Sequence, residues 1–423
     1  MPGLGTNWAG NYRYRAARLY RPATVDQLQE IVAAAKRVRV LGSRHSFTDI
    51  ADSCELVSLE RLPVEITVDP AQRTVSLTAG VTYAELAREL EPEGVALANL
   101  ASLPHISVAG AVSTASHGSG DRNGNLATSV CALELVRADG SLVRVARGDQ
   151  GFDGTVVGLG ALGALTRITL DVEPTYDVCQ RVFEGLGWRA LFDHFDEIMS
   201  AGYSVSAFTR WGVAVDQVWV KSRQNPAPGP LFGAAAATAE RHPIIGLDPA
   251  NATPQLGVPG PWSERLPHFR HGFTPSSGAE IQSEYLVPRR HAIPAIEAVR
   301  ALAGGIGSLV QVSEIRTVAA DELWMSPQYH RDTVGIHFTW VRDQPAVERA
   351  LAGVEAALSP FDARPHWGKL FLMQAGAMYE RQADFAALVR AADPEGTFAN
   401  DWLCARVLGG GKKQGRPGCQ GAG

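Results

Sequence analysis

The feature that most constrains this chain is a run of small residues between positions 102 and 120. The run reads SLPHISVAGAVSTASHGSG, and glycine, alanine, serine and threonine occupy most of its places. Backbone with so few side chains can approach a phosphate-bearing ligand closely, and its hydroxyl and N–H groups can bind an anion. An ordinary loop with tight turns is the alternative. The run therefore indicates either a close-packed loop or part of a nucleotide-binding surface.

A second loop of this kind follows the short apolar stretch 38–41, which predicts a buried strand. It reads GSRHSF from Gly42 to Phe47. Successive N–H groups just after a strand can form an anion-binding nest. On its own, His45 in such a loop is typical of a hydrogen-bonding surface residue. Two such loops attached to α/β elements favour a large nucleotide cofactor instead.

The chain also contains a formal dinucleotide fingerprint, GLGALG, at Gly158 to Gly163. That fingerprint binds a nicotinamide dinucleotide only when it follows a strand and opens a helix whose N-terminus faces the pyrophosphate. Here the stretch ALTRITLDV comes next, and its alternation predicts a strand. A nicotinamide-dependent dehydrogenase is therefore disfavoured.

Local patterns predict a chain with two differently built halves. Up to Pro174, helices alternate with strands, and capping signals at Thr24 and Thr82 begin two of the helices. Beyond Pro174 the patterns predict strands at 203–209, 216–221, 281–287, 308–317 and 334–340, with helices near 188–199, 289–303 and 345–358. Because 423 residues exceed what one core usually supports, we predict an α+β protein of two domains. Residues 224–279 show no periodicity and predict a lid or packed irregular structure.

Polar residues recur at every second position on two of the predicted strands. Glu314 and Arg316 share one strand face, and His337 and Thr339 share another. Lys369 follows shortly after them in the motif HWGK. An exposed ion pair explains the first two equally well. The functional alternative is a concave polar floor that hydrogen-bonds several hydroxyls.

Long motifs in a fixed order resemble the vanillyl-alcohol-oxidase-type family of FAD-linked oxidases, and within it the bacterial alditol oxidase (xylitol oxidase) branch. They are VLGSRHSF (40–47), ASLPHISVAGAV (101–112), EIRTVAAD (314–321), HFTWV (337–341) and RPHWGK (364–369). The resemblance runs from Asn7 to about Leu408. It implies a two-domain α+β fold of the PCMH/VAO type, with a mixed α/β FAD domain and a cap domain built on an antiparallel sheet. The implied units are an FAD-binding domain at 1–174, a substrate-binding cap at 175–365, a C-terminal segment at 366–408 that returns to the FAD domain, and a disordered tail at 409–423.

The resemblance also implies FAD as the cofactor, attached covalently through His45. The residue before that histidine is usually small in the family, and here it is Arg44, which either pairs with a cofactor phosphate or points to solvent. The other residues implied to contact the cofactor are Leu41, Gly42, Ser43, Ser46, Ser102, Ser107, Gly110, Ala111, Val112, Ser113, Ser116, His117, Gly160, Ala164 and His366.

The implied reaction is oxidation of the terminal hydroxyl of a small polyol such as xylitol or sorbitol to the aldose. A hydride passes to flavin N5, and dioxygen is reduced to hydrogen peroxide. The resemblance implies that the residues contacting the substrate are Ser102, Glu314, Arg316, Thr339 and Lys369. Arg316 and Lys369 suit stabilisation of an alkoxide-like oxygen. His337 is a candidate base by residue type.

Two rival functions remain. Aldonolactone (sugar-1,4-lactone) oxidases and dehydrogenases of the same superfamily resemble this chain around Glu314, Arg316 and Lys369. A flavin- or nucleotide-binding protein without oxidase activity is the other rival, although the polar residues of the cap would then be superfluous.

Charge and cysteine content limit the remaining partners. The net charge of −5 gives no reason to expect nucleic acid or an anionic membrane. No signal peptide or membrane-spanning stretch is evident. The five cysteines are scattered without a Cys-x-x-Cys pair, which favours reduced thiols and no metal site. We therefore predict a cytoplasmic protein, monomeric, whose partners are the polyol and dioxygen.

Overall fold

The computed structural model describes residues 4–224, 229–270, 272 and 280–409. The strands in these ranges are β1 Arg18–Tyr20, β2 Val38–Leu41, β3 Glu55–Ser58, β4 Ile66–Asp69, β5 Thr74–Thr78, β6 Val95–Ala96, β7 Val130–Val136, β8 Leu142–Ala146, β9 Ala164–Asp171, β10 Glu173–Pro174, β11 Asp177–Gly187, β12 Ser204–Thr209, β13 Ala214–Ser222, β14 Ala235–Ala236, β15 Gly260–Pro261, β16 Glu280–Pro288, β17 Val310–Val318, β18 Thr333–Val341 and β19 Arg364–Pro365. The helices are α1 Val25–Ala34, α2 Tyr83–Leu90, α3 Val108–Ser113, α4 Phe152–Val156, α5 Trp188–Asp193, α6 Phe195–Met199, α7 Trp262–Arg265, α8 Ala292–Arg300, α9 Ala303–Ile306, α10 Gln344–Leu358, α11 Gln382–Ala392 and α12 Asp401–Arg406.

Two larger sheets and one short antiparallel pair, β6 with β10, form the N-terminal half. A small parallel sheet has the order β1-β3-β2, and an antiparallel sheet has the order β4-β5-β9-β7-β8. The predicted capping signals are present, because the Thr24 hydroxyl accepts the Gln27 N–H and Thr82 forms a reciprocal capping box with Glu85. Strands β7 and β8 form a hairpin around Asp139-Gly140. The fingerprint at Gly158 leads into β9 and not into a helix, which confirms that it is not a dinucleotide-binding fingerprint.

A large antiparallel sheet forms the second half, with the order β14-β11-β13-β12-β17-β18-β16-β19. The predicted strands in this half correspond to β12, β13, β16, β17 and β18, and the predicted helices to α5 with α6, α8 and α10. Nearly every residue of β17 and β18 is buried, because the sheet is covered on both faces. The polar residues of these strands therefore lie in the interior, which rules out the exposed ion pair as an explanation.

The C-terminal residues pack against the N-terminal half. The buried guanidinium of Arg39 donates hydrogen bonds to the carbonyls of Ile50, Leu159, Gly160 and Phe398 at 2.6–3.0 Å. The Val38 N–H also donates to the Thr397 carbonyl at 2.8 Å. These contacts connect the two ends of the chain. The division into domains at residue 174 stays a prediction, and the predicted disordered tail lies, from residue 410 onward, outside the described residues.

One prediction about cysteines is wrong. Cys54 is disulfide-bonded, whereas Cys131, Cys179 and Cys404 are free thiols. Because disulfides are uncommon in cytoplasmic proteins, this removes one argument for the cytoplasmic location, which stays a prediction. None of the helices in the described ranges is both long enough and apolar enough to cross a bilayer.

Candidate active site

One cavity of about 750 Å³ joins the two small-residue loops to the large sheet. This volume lies within the range of pockets that bind small molecules and cofactors. Part of the unpatterned segment closes one side of it with His242, Leu247 and Phe269, so the described part of this segment is packed structure at the cavity wall. The predicted site residues on the wall are Leu41, Gly42, Ser43, Arg44, His45, Ser46, Ser102, Ser107, Gly110, Ala111, Ser113, Ser116, His117, Gly160, Glu314, Arg316, His337, Thr339, His366 and Lys369.

The two loops touch each other at the cavity wall. The Ser107 N–H donates to the Ser43 hydroxyl at 3.0 Å, which links the start of α3 to the loop after β2. A Cβ atom added at Gly42 or at Gly110 would lie 2.9 Å from the Ser107 hydroxyl oxygen. Glycine at both positions therefore allows the two loops to touch, and a larger residue at either position would push them apart. The cavity wall here is bare backbone, as the sequence predicted.

His45 is half-buried, and its two buried ring nitrogens lack the contacts that such atoms normally have. Its ring stacks on Trp8 with centroids 5.3 Å apart, and neither ring nitrogen has a hydrogen-bond partner among the described residues. Burial lowers the pKa of His45 to about 4, so the ring is neutral at neutral pH. Unpaired buried polar atoms are rare, and one that faces a cavity indicates a missing ligand. The ring is therefore available to a group bound in the cavity.

The far wall of the cavity is the polar face of three neighbouring strands. Glu314 and Arg316 lie on β17, and His337 and Thr339 lie on the adjacent β18, with Glu314 paired to His337. Lys369 comes from a turn that lies along β16, because the His366 N–H donates to the Glu284 carbonyl and the Leu370 N–H to the Gln282 carbonyl, both at 2.9 Å. The structure thus brings together residues that are more than fifty positions apart in the sequence.

Glu284 on β16 connects the two cations of this wall, and the sequence analysis missed it. Arg316 Nη2 lies 2.9 Å from its Oε1 and Lys369 Nζ lies 2.6 Å from its Oε2. Burial by itself would raise the pKa of Glu284, but Arg316 and Lys369 hold it well below the usual range. The carboxylate is therefore charged and shared by two cations. The alternation Glu280, Gln282, Glu284 along one strand face was the signal that could have found it.

A glycine makes the Glu284–Arg316 pair possible. The two residues lie on β16 and β17, which are separated by β18, so the pair must cross the middle strand. At the crossing point β18 carries Gly335, where an added Cβ would lie 2.9 Å from Glu284 Oε1. A side chain there would push the carboxylate away from the guanidinium. The glycine at position 335 is therefore required for the space that it leaves. Its backbone conformation is that of an ordinary strand residue and does not itself require glycine.

His337 is held in one orientation by its neighbours on β16. The Gln282 amide N–H donates to Glu280 Oε1 at 2.6 Å, which turns its carbonyl oxygen toward His337 Nε2 at 3.3 Å. Nε2 must then donate, and Nδ1 is left as a buried acceptor without a partner among the described residues. Burial and the nearby Lys369 lower the pKa of His337 well below its usual value. The ring is neutral, with its lone pair on Nδ1.

His117, Glu284 and His366 offer ligand atoms within 4.8 Å of one another, a spacing compatible with a metal ion. Both oxygens of Glu284, however, already face a cation, and Lys369 and Arg316 would repel a divalent ion. The arrangement favours a charge-balanced polar cluster over a metal site.

Comparisons with known proteins agree with this geometry. The sequence family described as an FAD binding domain matches residues 16–146, and the family described as D-arabinono-1,4-lactone oxidase matches residues 278–406. An alditol oxidase of Streptomyces sp. (strain IKD472 / FERM P-14339) is 50% identical over 406 residues, covering 94% of this chain and 97% of that protein. The chain belongs to the vanillyl-alcohol-oxidase-type family of FAD-linked oxidases.

A more distant relative in sequence and a solved structure agree with the predicted fold class. An L-gulono-1,4-lactone dehydrogenase of Mycobacterium tuberculosis is 27% identical, covering 97% of this chain and 100% of that protein. A solved structure of a solvent-stable cholesterol oxidase superposes with a TM-score of 0.77 over 95% of this chain and 96% of that one, at 14% identity. The last comparison shows the fold alone, which is the predicted two-part α+β architecture.

Two of the residues that the family resemblance implies as cofactor contacts lie away from the cavity wall. Val112 and Ala164 do not line the cavity, because Val112 packs on the buried side of α3 and Ala164 pairs with Val136 in the core between β7 and β9. Arg44 lies on the cavity wall, so its contact with the cofactor stays a prediction. Its guanidinium donates to the Leu4 carbonyl at 2.9 Å and lies over the Tyr14 ring. Its φ of 62° lies in the left-handed region, which favours glycine.

Acid should destabilise this protein through its buried neutral histidines. Burial, followed by Lys221, lowers the pKa of His268 to about 4, against about 6.5 in an unfolded chain. Between these two pH values His268 is protonated in the unfolded state but not in the folded state. The contribution of His268 to the free energy of unfolding, which is present above pH 6.5, is therefore lost as the pH falls toward 4. For His268 this amounts to about 2 kcal/mol between pH 7 and pH 5. Urea unfolding of His268→Gln should show a pH-dependent loss smaller by that amount.

The exposed histidine His330 provides the control, because His330→Gln changes a ring that is about half exposed. Its pH dependence should match that of the parent protein. If the parent protein and His268→Gln lose equal stability between pH 7 and pH 5, then folding does not lower the pKa of His268.

Proposed function

We propose that this protein is an FAD-dependent alditol oxidase that converts the terminal hydroxyl of a small polyol, such as xylitol or sorbitol, to the aldehyde. The observation that carries the proposal is the 50% identity to an alditol oxidase over 94% of the chain. The interior polar wall supports it, because a cavity with two carboxylates, two cations and several hydroxyls suits a ligand rich in hydroxyl groups.

The residues present fit FAD. Two loops with little side-chain cover line one side of the cavity, and His45 offers an unpaired buried imidazole beside them. A neutral imidazole nitrogen is a nucleophile, so its position and protonation state support covalent attachment of the flavin through His45. We include that attachment in the proposal. His117 and His366, whose rings lie 5.6 Å apart, would also contact the cofactor.

When bound, FAD supplies the acceptor for the hydride that leaves the terminal carbon and the centre at which dioxygen is reduced to hydrogen peroxide. The chain's own residues bind, orient and deprotonate the polyol. Arg316 and Lys369 stabilise negative charge on the reacting oxygen. His337 accepts the hydroxyl proton on Nδ1, which is unprotonated and faces no other partner among the described residues. Glu314, Ser102 and Thr339 hold neighbouring hydroxyls and fix the orientation.

The visible spectrum of the purified holoenzyme tests this function. Under anaerobic conditions xylitol should bleach the yellow protein, and air should restore the colour. Bleaching by a sugar-1,4-lactone with no response to xylitol would assign the protein to the rival lactone-oxidising class, which the match of residues 278–406 to a lactone oxidase family keeps open. A preparation that stays colourless with FAD would contradict the proposed cofactor.

Replacing His45 by alanine tests the attachment. In the parent protein the flavin should remain in the pellet after acid precipitation, whereas in His45→Ala it should be released entirely into the supernatant. The exposed His330→Ala, which leaves the cavity unchanged, should keep its flavin in the pellet. Flavin that still precipitates with His45→Ala would assign the attachment to another residue.

A further inference from the structure

Lys221 lies in the interior of the cap, away from the cavity wall, and is almost completely buried. Its ammonium group on β13 has three acceptors, which are the carbonyls of Leu266 and Pro267 and Nδ1 of His268 at 3.2 Å. An ammonium has three protons and no lone pair, so each proton is directed to one of these atoms. Of these three acceptors, only the imidazole of His268 can change its protonation state. Lys221 therefore influences the protonation of His268.

His268 connects Lys221 to the substrate wall. Its Nε2 lies 3.0 Å from Glu314 Oε1, while its Nδ1 faces the lysine. The ring edge packs against Phe208 and Trp219, with centroids 5.3 and 5.5 Å away. The ring is therefore fixed in position and bridges the buried ammonium and the carboxylate.

The charges at the two ends of the bridge impose one tautomer. The carboxylate of Glu314 only accepts, so Nε2 must carry the ring proton. Nδ1 of the neutral ring therefore accepts from Lys221, whose pKa burial lowers to about 7. Burial and Lys221 keep the ring neutral by lowering the pKa of His268 to about 4. Glu314 thus receives a hydrogen bond of fixed direction on Oε1, while its Oε2 lies 3.4 Å from Arg316 Nη1. Both oxygens are oriented, and each keeps a lone pair for another donor.

We propose that Lys221 and His268 are positioning residues that orient Glu314 to accept a hydroxyl of the polyol, and that they thereby set the preference for longer polyols over short diols. The inference rests on the proposed function, since it assigns Glu314 to a substrate hydroxyl. A site built around such a hydrogen bond discriminates strongly against analogues that lack the hydroxyl, because its buried polar groups are then left unpaired. Neither Lys221 nor His268 needs to touch the reacting atoms.

The test compares two substrates in the holoenzyme, xylitol and 1,2-propanediol, which lacks hydroxyls beyond the second carbon. Lys221→Met replaces the ammonium by an apolar chain of similar length. We expect the ratio of kcat/KM for xylitol to kcat/KM for the diol to fall at least tenfold, mainly through KM for xylitol, since one hydrogen bond to a charged group is lost. His268→Leu should lower the ratio in the same way.

Two further variants separate positioning from mere support of the fold. His268→Gln can accept from Lys221 through its carbonyl and donate to Glu314 through its amide, so it should retain most of the ratio. Gln180→Met removes hydrogen bonds of 3.1–3.4 Å from β11 to Thr253 and Pro254, and so loosens the same segment without reaching Glu314. It should leave the ratio unchanged. If Lys221→Met does not fold, the contrast between His268→Gln and His268→Leu carries the test.

The outcomes distinguish this inference from the proposed function. Parent enzyme that oxidises xylitol, with an unchanged substrate ratio in Lys221→Met or in His268→Leu, would overturn the inference and leave the function intact. An equal drop in His268→Gln and His268→Leu would overturn it as well. Parent enzyme that ignores xylitol would remove the proposed function and the inference together.

Discussion

Replacing Glu284 by glutamine should lower the free energy of unfolding by about 3–5 kcal/mol, because it leaves two buried cations without their shared anion. The side chains of Arg316 and Glu284 are 5% and 0% exposed, so water cannot replace the lost carboxylate. The glutamine carbonyl can accept from only one of the two cations, and its amide N–H groups would face the other. Urea unfolding at pH 7 measures the loss.

A surface ion pair provides the matched control. Arg147 and Asp171 are joined at 2.6 Å, but both side chains are about half exposed. Asp171→Asn should therefore cost less than about 1 kcal/mol. A loss as small as this in Glu284→Gln would mean that water or local rearrangement compensates the two cations.

A second variant separates the charge effect from a packing effect. Glu284→Gln combined with Lys369→Met removes one negative and one positive charge, and leaves the glutamine carbonyl to a single cation, Arg316. We expect this double variant to be more stable than Glu284→Gln alone, because neighbouring charges couple and their effects do not add. If the double variant is less stable by the sum of the two single losses, Glu284 and Lys369 contribute independently.

The sequence predicted most of the fold because strand alternation and helix-capping signals mark many of its elements. Strict alternation in stretches such as ALTRITLDV and GIHFTWV gave β9 and β18, and capping residues gave the starts of α1 and α2. These signals are local, so one sequence is enough to find them. The structure of segment 224–279 could not be predicted in this way. Its described part is held by contacts with the large sheet, and contacts between distant residues leave no periodic pattern in the sequence.

The candidate site was predicted only where a residue belongs to a motif. Glu284, His268 and Lys221 were missed, although they are among the most buried charged or titratable groups of the cap. Each acts through a partner at least 30 positions away, so its role appears only when the strand order β13-β12-β17-β18-β16 is known. The role of Gly335 could not be predicted either, because nothing in the stretch GIHFTWV indicates that the Glu284–Arg316 ion pair passes over this glycine.

Lys369→Met should lower kcat/KM for xylitol by about 10²- to 10³-fold while flavin content stays normal, since the loss of one oriented group that stabilises a developing oxyanion has effects of this size. Lys369 is the cleaner of the two cations to remove. Arg316 lies between two carboxylates, Glu284 and Glu314, so its loss would leave both of them buried without that cation. Lys369 pairs with Glu284 alone, which keeps Arg316 as its partner.

The rate of flavin bleaching by xylitol under anaerobic conditions measures the Lys369 effect without interference from the reaction with oxygen. The control is Lys36→Met, which removes an exposed lysine that does not line the cavity and should leave the rate unchanged. Burial lowers the pKa of Lys369 while Glu284 raises it, and the net result is a lowered pKa. The ammonium should therefore lose its proton at lower pH than an exposed lysine would, and with it the stabilisation of the oxyanion. The parent rate should then show a decline at alkaline pH that Lys369→Met lacks. An unchanged bleaching rate in Lys369→Met would assign charge stabilisation to Arg316 alone.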